Sequence, residues 1–132
     1  IYDVATNSWS NGTSLPTAQT GAGLVQSETG RIFVMGGISG TTLRNTLYEY
    51  NTSNGTWTTK NTMGTAVWSF AVGYRQPYYD SGSIYVYGGC SDSSCTTTIS
   101  TIQKFDLATE TWSTVTPAGT PPVYSSTPWG VA

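Results

Sequence analysis

Histidine is absent from this 132-residue chain, and charge is scarce: five Lys or Arg and seven Asp or Glu make up 9% of the residues, against about 25% in an ordinary soluble domain. Without His the commonest general base and metal ligand are missing, so neither a Ser-His-Asp nor a Cys-His site can be assembled from this chain. The two cysteines are too few for a structural zinc site, which takes four Cys or His ligands. No metal or cofactor is expected, and no catalysis. A net charge of -2 offers no cationic surface for phosphate backbones or anionic lipid, which argues against nucleic acid and membrane-surface partners. No apolar run approaches the ~18 to 20 residues that cross a bilayer, so membrane insertion is not expected. The opening Ile1-Tyr2-Asp3 has neither the basic nor the apolar part of a leader, and any such signal is expected to be absent or already removed.

What the chain does have is hydroxyl groups and aromatics. There are 24 Thr and 16 Ser, with 37% hydrophobic and 13% aromatic residues. Large side chains spread over the whole length can offset chain entropy, so a folded chain is expected, with hydroxyls rather than ions meeting water.

The sequence repeats itself. Tyr2-Asp3-Val4-Ala5-Thr6-Asn7-Ser8-Trp9, Tyr50-Asn51-Thr52-Ser53-Asn54-Gly55-Thr56-Trp57 and Phe105-Asp106-Leu107-Ala108-Thr109-Glu110-Thr111-Trp112 align without gaps. Each runs aromatic, Asp or Asn, then Trp. Upstream, Arg31-Ile32-Phe33-Val34-Met35-Gly36-Gly37 aligns with Ser83-Ile84-Tyr85-Val86-Tyr87-Gly88-Gly89. The Trp spacings are 48 and 55 residues and the Gly-Gly pairs lie 52 apart, and periods in this range mark repeat architectures.

Each motif carries a physical reading. The continuous apolar runs 32–35 and 84–87 predict strands covered on both faces. The glycine pairs after them permit positive φ and close approach where sheets crowd. Leu47-Tyr48-Glu49-Tyr50 and Ile102-Gln103-Lys104-Phe105 predict alternating third strands. The Asp or Asn that follows predicts a turn closed onto its own backbone. Asn54-Gly55 predicts a two-residue hairpin, with Trp57 opening the outer strand. Trp9, Trp57 and Trp112 are expected to be core anchors between sheets.

Taken together, an apolar strand, Gly-Gly, a variable loop, an aromatic followed by Asp, and a Trp seven places beyond the aromatic resemble the kelch repeat, over Ile1 to about Val115. The middle repeat departs from the family pattern in having Asn51 for Asp, and the Arg common near the start of the first strand is not evident at Pro16-Thr17-Ala18-Gln19. The resemblance implies an all-β fold, one four-stranded antiparallel sheet per repeat as a blade of a β-propeller. The organisation expected is a half blade over 1–14 (third and fourth strands), a full blade over 15–62, a full blade with a disulfide loop over 63–116, and the start of another over 117–132. That is roughly 2.5 blades, where propellers close with four to eight. The expected partners are therefore further blades of the same polypeptide or other copies of the chain.

The loops carry the candidate sites. Cys90-Ser91-Asp92-Ser93-Ser94-Cys95 is short enough for Cys90 and Cys95 to pair; the alternative is two free thiols. The 38–45 loop of one repeat corresponds to the longer 90–100 loop of the next. A segment between the first two strands of its blade holds Arg75, Tyr78, Tyr79 and Asp80, read either as a tyrosine-rich hairpin packing on itself or as a binding rim that stacks sugar rings or meets a protein surface. Sequons at Asn11, Asn51 and Asn54, with the Cys pair, favour a secreted or cell-surface glycoprotein.

Three functional classes follow. The first is an extracellular binding or scaffold module for protein or carbohydrate, the usual role of kelch propellers. The second is a structural subunit of a glycosylated surface filament or sheath. The third is the propeller of a copper radical oxidase similar to galactose oxidase, with its ligands outside this chain.

Overall fold

The computed structural model describes residues 1–78 and 81–119. Every regular element among them is a strand. The chain opens with the short pair β1 (Tyr2–Asp3) and β2 (Ser8–Trp9). A four-stranded antiparallel sheet follows, in the order β3 (Gly23–Gln26), β4 (Ile32–Met35), β7 (Leu47–Asn51), β8 (Thr56–Lys60). Between β4 and β7 the small hairpin β5 (Ile38–Ser39) and β6 (Thr42–Leu43) projects from one end. The second four-stranded sheet runs β9 (Ala71–Arg75), β10 (Ser83–Tyr87), β11 (Ile102–Asp106), β12 (Thr111–Val115), again antiparallel throughout. The half sheet spans residues 2–9 and the two full sheets span 23–60 and 71–115. Residues 120–132, most of the expected start of another blade, lie outside the described residues.

The two full sheets stack face to face. Register decides which side chains meet: Val25 opposes Phe33 on one sheet, while Ile84 opposes both Phe105 and Tyr74 on the other. These positions converge on one core of Phe33, Met35, Leu47, Met63, Val67, Ile84, Val86 and Phe105, all at most 1% exposed. Phe33 and Phe105 tilt against each other with ring centroids 6.4 Å apart. Burial of such side chains stabilises by ~1.5–3 kcal/mol each.

The glycine pairs are required by this approach. A Cβ at Gly36 would sit 2.6 Å from a Phe70 ring carbon and 2.7 Å from the Val67 carbonyl oxygen, and one at Gly89 would sit 2.9 Å from Phe70 Cβ. Gly36 and Gly37 adopt φ of 60° and 94°, and Gly88 and Gly89 adopt 67° and 103°. Phe70 lies between the two pairs, where a side chain on either would displace it.

The turns after the third strands repeat in detail. Asp3 Oδ1 accepts from the Ala5 N–H at 2.8 Å, Asn51 Oδ1 from Ser53 at 2.9 Å, and Asp106 Oδ1 from Ala108 and Thr109, both at 2.9 Å. Two residues before each Trp the backbone is left-handed, at Asn7 (φ 49°), Gly55 (φ 70°) and Glu110 (φ 55°). The Asx turn accounts for Asp or Asn at positions 3, 51 and 106, while Asn7 and Gly55 suit the left-handed position that Glu110 also adopts.

Three expectations need correction. The 51–56 hairpin is not a two-residue turn: Asn51 pairs with Thr56, and Gly55 donates back to Asn51 at 2.8 Å, so residues 52–55 form the loop with the αL position falling on Gly55. β7 does not alternate, because Leu47 and Tyr48 are both buried. Leu47 faces the core while the linker covers Tyr48, whose hydroxyl lies 3.1 Å from Thr17 Oγ1. Trp9 keeps its register opposite Tyr2 with rings 5.1 Å apart, but it is 80% exposed among the described residues rather than buried in a core.

Steric and conformational costs of a Cβ separate cleanly in this fold. Gly36→Ala is expected to lose about 2–4 kcal/mol in urea unfolding, combining overpacking with positive φ. Gly30→Ala, at φ 80° with nothing within 4 Å, carries only the conformational cost of about 1–2 kcal/mol. Equal losses at the two positions would show that crowding at Phe70 does not constrain the glycine pair.

Candidate recognition loop and the joint between blades

The 90–100 loop is organised around one carboxylate. Asp92 Oδ1 accepts the N–H groups of Ser94 at 2.8 Å and Thr96 at 3.1 Å, and Oδ2 accepts the Thr96 hydroxyl at 3.0 Å and the Thr97 N–H. Donation from the Thr96 backbone is the leading cause that holds the Asp92 carboxyl down at about 2. The Asp92 carbonyl oxygen in turn accepts the Trp68 indole N–H at 2.8 Å and the Cys95 N–H at 3.2 Å. Cys95, in a left-handed conformation at φ 54°, is bonded to Cys90 with the two Cα atoms 4.9 Å apart. Cys90 is 2% exposed and exchanges backbone hydrogen bonds with Trp68. The expected disulfide is present, and the loop it closes is tied to the neighbouring strand entry by both main chain and indole. In the other full sheet the equivalent loop is the compact β5–β6 hairpin, turned by Gly40 at φ 60°.

Arg75 and Tyr78 lie elsewhere. Arg75 pairs with Ser83 at one end of the second sheet, whereas Tyr87, which leads into the disulfide loop, pairs with Ala71 at the other. Both residues are exposed, Tyr78 at 88%. Tyr79 and Asp80 lie outside the described residues. The tyrosine-rich turn and the disulfide loop therefore do not form one site. Asn51 and Asn54 share the tyrosine end, because Tyr50 pairs with Ile32 beside the β3–β4 turn while Leu47 pairs with Met35 at the other end of the sheet.

The outer margin holds a feature that repeat alignment did not reveal. Arg31 donates to Glu49 through Nε at 2.5 Å and Nη2 at 3.0 Å, and through Nη2 to Glu110 at 3.2 Å. Lys60 Nζ lies 3.0 Å from Glu49 and 2.7 Å from Glu110. One third of the chain's 12 charges thus meet where the two sheets join. The bond to Arg31 is the main cause lowering the Glu49 carboxyl, and the bond to Lys60 the main cause lowering Glu110; both cations are raised in turn, Arg31 chiefly by Glu49 and Lys60 chiefly by Glu110. The Arg31 guanidinium also lies 5.0 Å from the Phe33 ring centroid.

Tryptophan completes the joint. Trp112 Nε1 donates to the Asn61 carbonyl at 2.7 Å, while Asn61 Nδ2 donates to the Glu110 carbonyl at 2.8 Å. Trp57 Nε1 donates to the Thr13 carbonyl at 3.0 Å. Thr13 and Asn61 each stand four residues after the preceding Trp, so one contact recurs between successive repeats. The linkers are held alike: Thr17 meets Tyr48, and Gln103 accepts from the Thr65 N–H at 2.8 Å and donates to its carbonyl at 3.2 Å. Among the described residues no three His, Cys, Asp or Glu side chains gather as a metal site.

Four-stranded antiparallel sheets stacked through Gly-Gly cradles and Trp joints define blades of an incomplete β-propeller. The kelch motif model matches residues 29–64 and 80–119, more than half of the chain. The chain belongs to the kelch repeat family. No curated protein matches it.

Two measurements probe these contacts. The Asp92 carboxyl is depressed in the folded state, so its support of the loop is complete above its unfolded value near 4 and is lost as pH falls through about 2. Amide resonances of Ser94, Thr96 and Thr97 should shift together with that midpoint, and a midpoint at the ordinary carboxylate value would remove Asp92 as the hub. Trp112→Phe should cost about 1 kcal/mol through the lost indole donation, and Trp9→Phe close to nothing; equal costs would contradict the joint.

Proposed function

We propose that this chain is part of a secreted or cell-surface kelch propeller that acts as a non-catalytic scaffold and binding module, with the 38–45 and 90–100 loops as its recognition face. The observation that carries this reading is the Asp92 and disulfide loop. An exposed loop ordered by four donations to one carboxylate, a covalent closure and an indole tether loses little entropy on meeting a partner. Its end of the blade is opposite the Asn51 and Asn54 sequons, so glycans there leave it open. The disulfide and the sequons support an oxidising compartment, and the lack of His in the chain supports binding without turnover. Protein or carbohydrate is the ligand class, since hydroxyl-rich loops offer adaptable hydrogen bonding without strong charge.

A second reading, association of the chain with further copies in a surface assembly, is favoured by the exposure of Trp9, Val4 and Leu24 at 80%, 80% and 65%. Val4 and Trp9 belong to the β1–β2 hairpin and Leu24 to the edge strand β3, and exposed apolar groups mark interaction surfaces where they form a continuous patch.

Glycan arrays and panels of extracellular domains, probed with the intact chain, test the first reading. Binding should fall at least roughly tenfold for Asp92→Asn and for a Cys90→Ser, Cys95→Ser double variant, and stay unchanged for Tyr78→Ala. Loss with Tyr78→Ala alone moves the site to the opposite end. Sedimentation tests the second: a monomer at all concentrations excludes it.

A further inference from the structure

Two Asn-Gly pairs occur in the chain, Asn11-Gly12 and Asn54-Gly55. In such a pair the glycine nitrogen can reach the asparagine side-chain carbonyl carbon, because no Cβ obstructs its approach. Attack forms a five-membered imide as the bond to the side-chain amide nitrogen breaks. Ammonia leaves, carrying the proton given up by the glycine nitrogen. Water then opens the imide at either carbonyl, leaving aspartate or, with one more carbon in the main chain, isoaspartate. Water is the one co-reactant, and nothing is oxidised or reduced.

The fold treats the two pairs differently. At Asn54 the nucleophile is engaged, since the Gly55 N–H donates to the Asn51 carbonyl at 2.8 Å. The side chain is also held, with Asn54 Oδ1 accepting the Thr56 N–H at 3.1 Å and the Thr56 hydroxyl at 2.7 Å. These bonds aim the carboxamide past Gly55 toward Thr56. Asn11 is exposed and lies outside any strand or turn. Among the described residues neither its carboxamide nor the Gly12 N–H has a hydrogen-bond partner. A Cβ at Gly12 would find its nearest neighbours, the Tyr50 hydroxyl and the Ile1 side chain, at 3.5 and 3.6 Å, so Gly12→Ala fits here without a clash.

We propose that Asn11 is a site of spontaneous deamidation in the chain lacking a glycan there, and that the fold protects Asn54 although it has the same dipeptide. The site is placed where the change matters. Ser10, one residue before, exchanges main-chain hydrogen bonds with Ile1 at 2.8 and 2.7 Å. Thr13, two residues after, accepts the Trp57 indole. An isoaspartate between them lengthens the linker that fixes the half blade to the first full blade, and either product adds a negative charge. Aspartate is also no longer a glycan acceptor, so deamidation and glycosylation of Asn11 exclude each other.

The test uses the intact 132-residue chain made in a host without N-glycosylation and held in mildly alkaline buffer. Peptide mapping reads the mass gain of about one dalton at each site, and isoaspartyl methyltransferase labelling reads the rearranged product. The Asn11 peptide should convert at least roughly tenfold faster than the Asn54 peptide in the folded chain, and the two rates should converge in denaturant, where fold protection is gone. Gly12→Ala should slow conversion at Asn11 and leave Asn54 unchanged. Equal rates in the folded chain, Asn54 reacting first, or Asn11 staying intact while the denatured chain reacts would each overturn the proposal.

Discussion

A four-stranded sheet with two apolar faces cannot be stable alone, and the rest of this structure follows from how one blade covers the next. Phe33, Met35 and Leu47 from one blade and Ile84, Val86 and Phe105 from the other share a single core. Sheets can come this close only if the chain leaving each second strand carries no side chain, which is what Gly36 and Gly89 supply around Phe70. Their conformational freedom is costly in the unfolded chain, and the core it admits offsets that cost.

Farther from this core the joint changes character. At the outer margin it is ionic and directional, with Arg31, Glu49, Lys60 and Glu110 meeting across the blades. Such partly exposed pairs contribute only ~0.2–1 kcal/mol each, so their role is to set which edge meets which. The Trp112 indole and the Asn61 carboxamide fix the same alignment through neutral bonds. Trp57 and Thr13 repeat the contact without the charges, because Gly55 stands where Glu110 does. Among the described residues the half blade is therefore held at this margin by fewer hydrogen bonds than the second full blade.

Because packing is settled between the blades, the loops at their ends are free to differ. One is a four-strand-residue hairpin and its counterpart a disulfide-closed loop around Asp92, yet both leave the same Gly-Gly turn. Variation of this kind on a fixed frame is how repeat folds acquire recognition.

The all-β class, the repeated strands, the glycine pairs, the Asx turns and the Cys90–Cys95 bond were legible in the sequence, because each rests on local chemistry: a β-branched run, a positive φ, a side chain bonding its own backbone, two thiols on one short loop. What tertiary structure decided were relations between residues far apart. The ion cluster joins positions 31, 49, 60 and 110, and no spacing announces it. Asp92 looked like one polar residue among serines until folding aimed four donors at it. Trp9 has the same register as Trp57 and Trp112 but lies in the open, since burial depends on what stands opposite and a repeat pattern specifies only the residue's own side of the contact. For the same reason Arg75 and the disulfide loop, close in sequence, were carried to opposite ends of a blade by the length of β10, the strand between them.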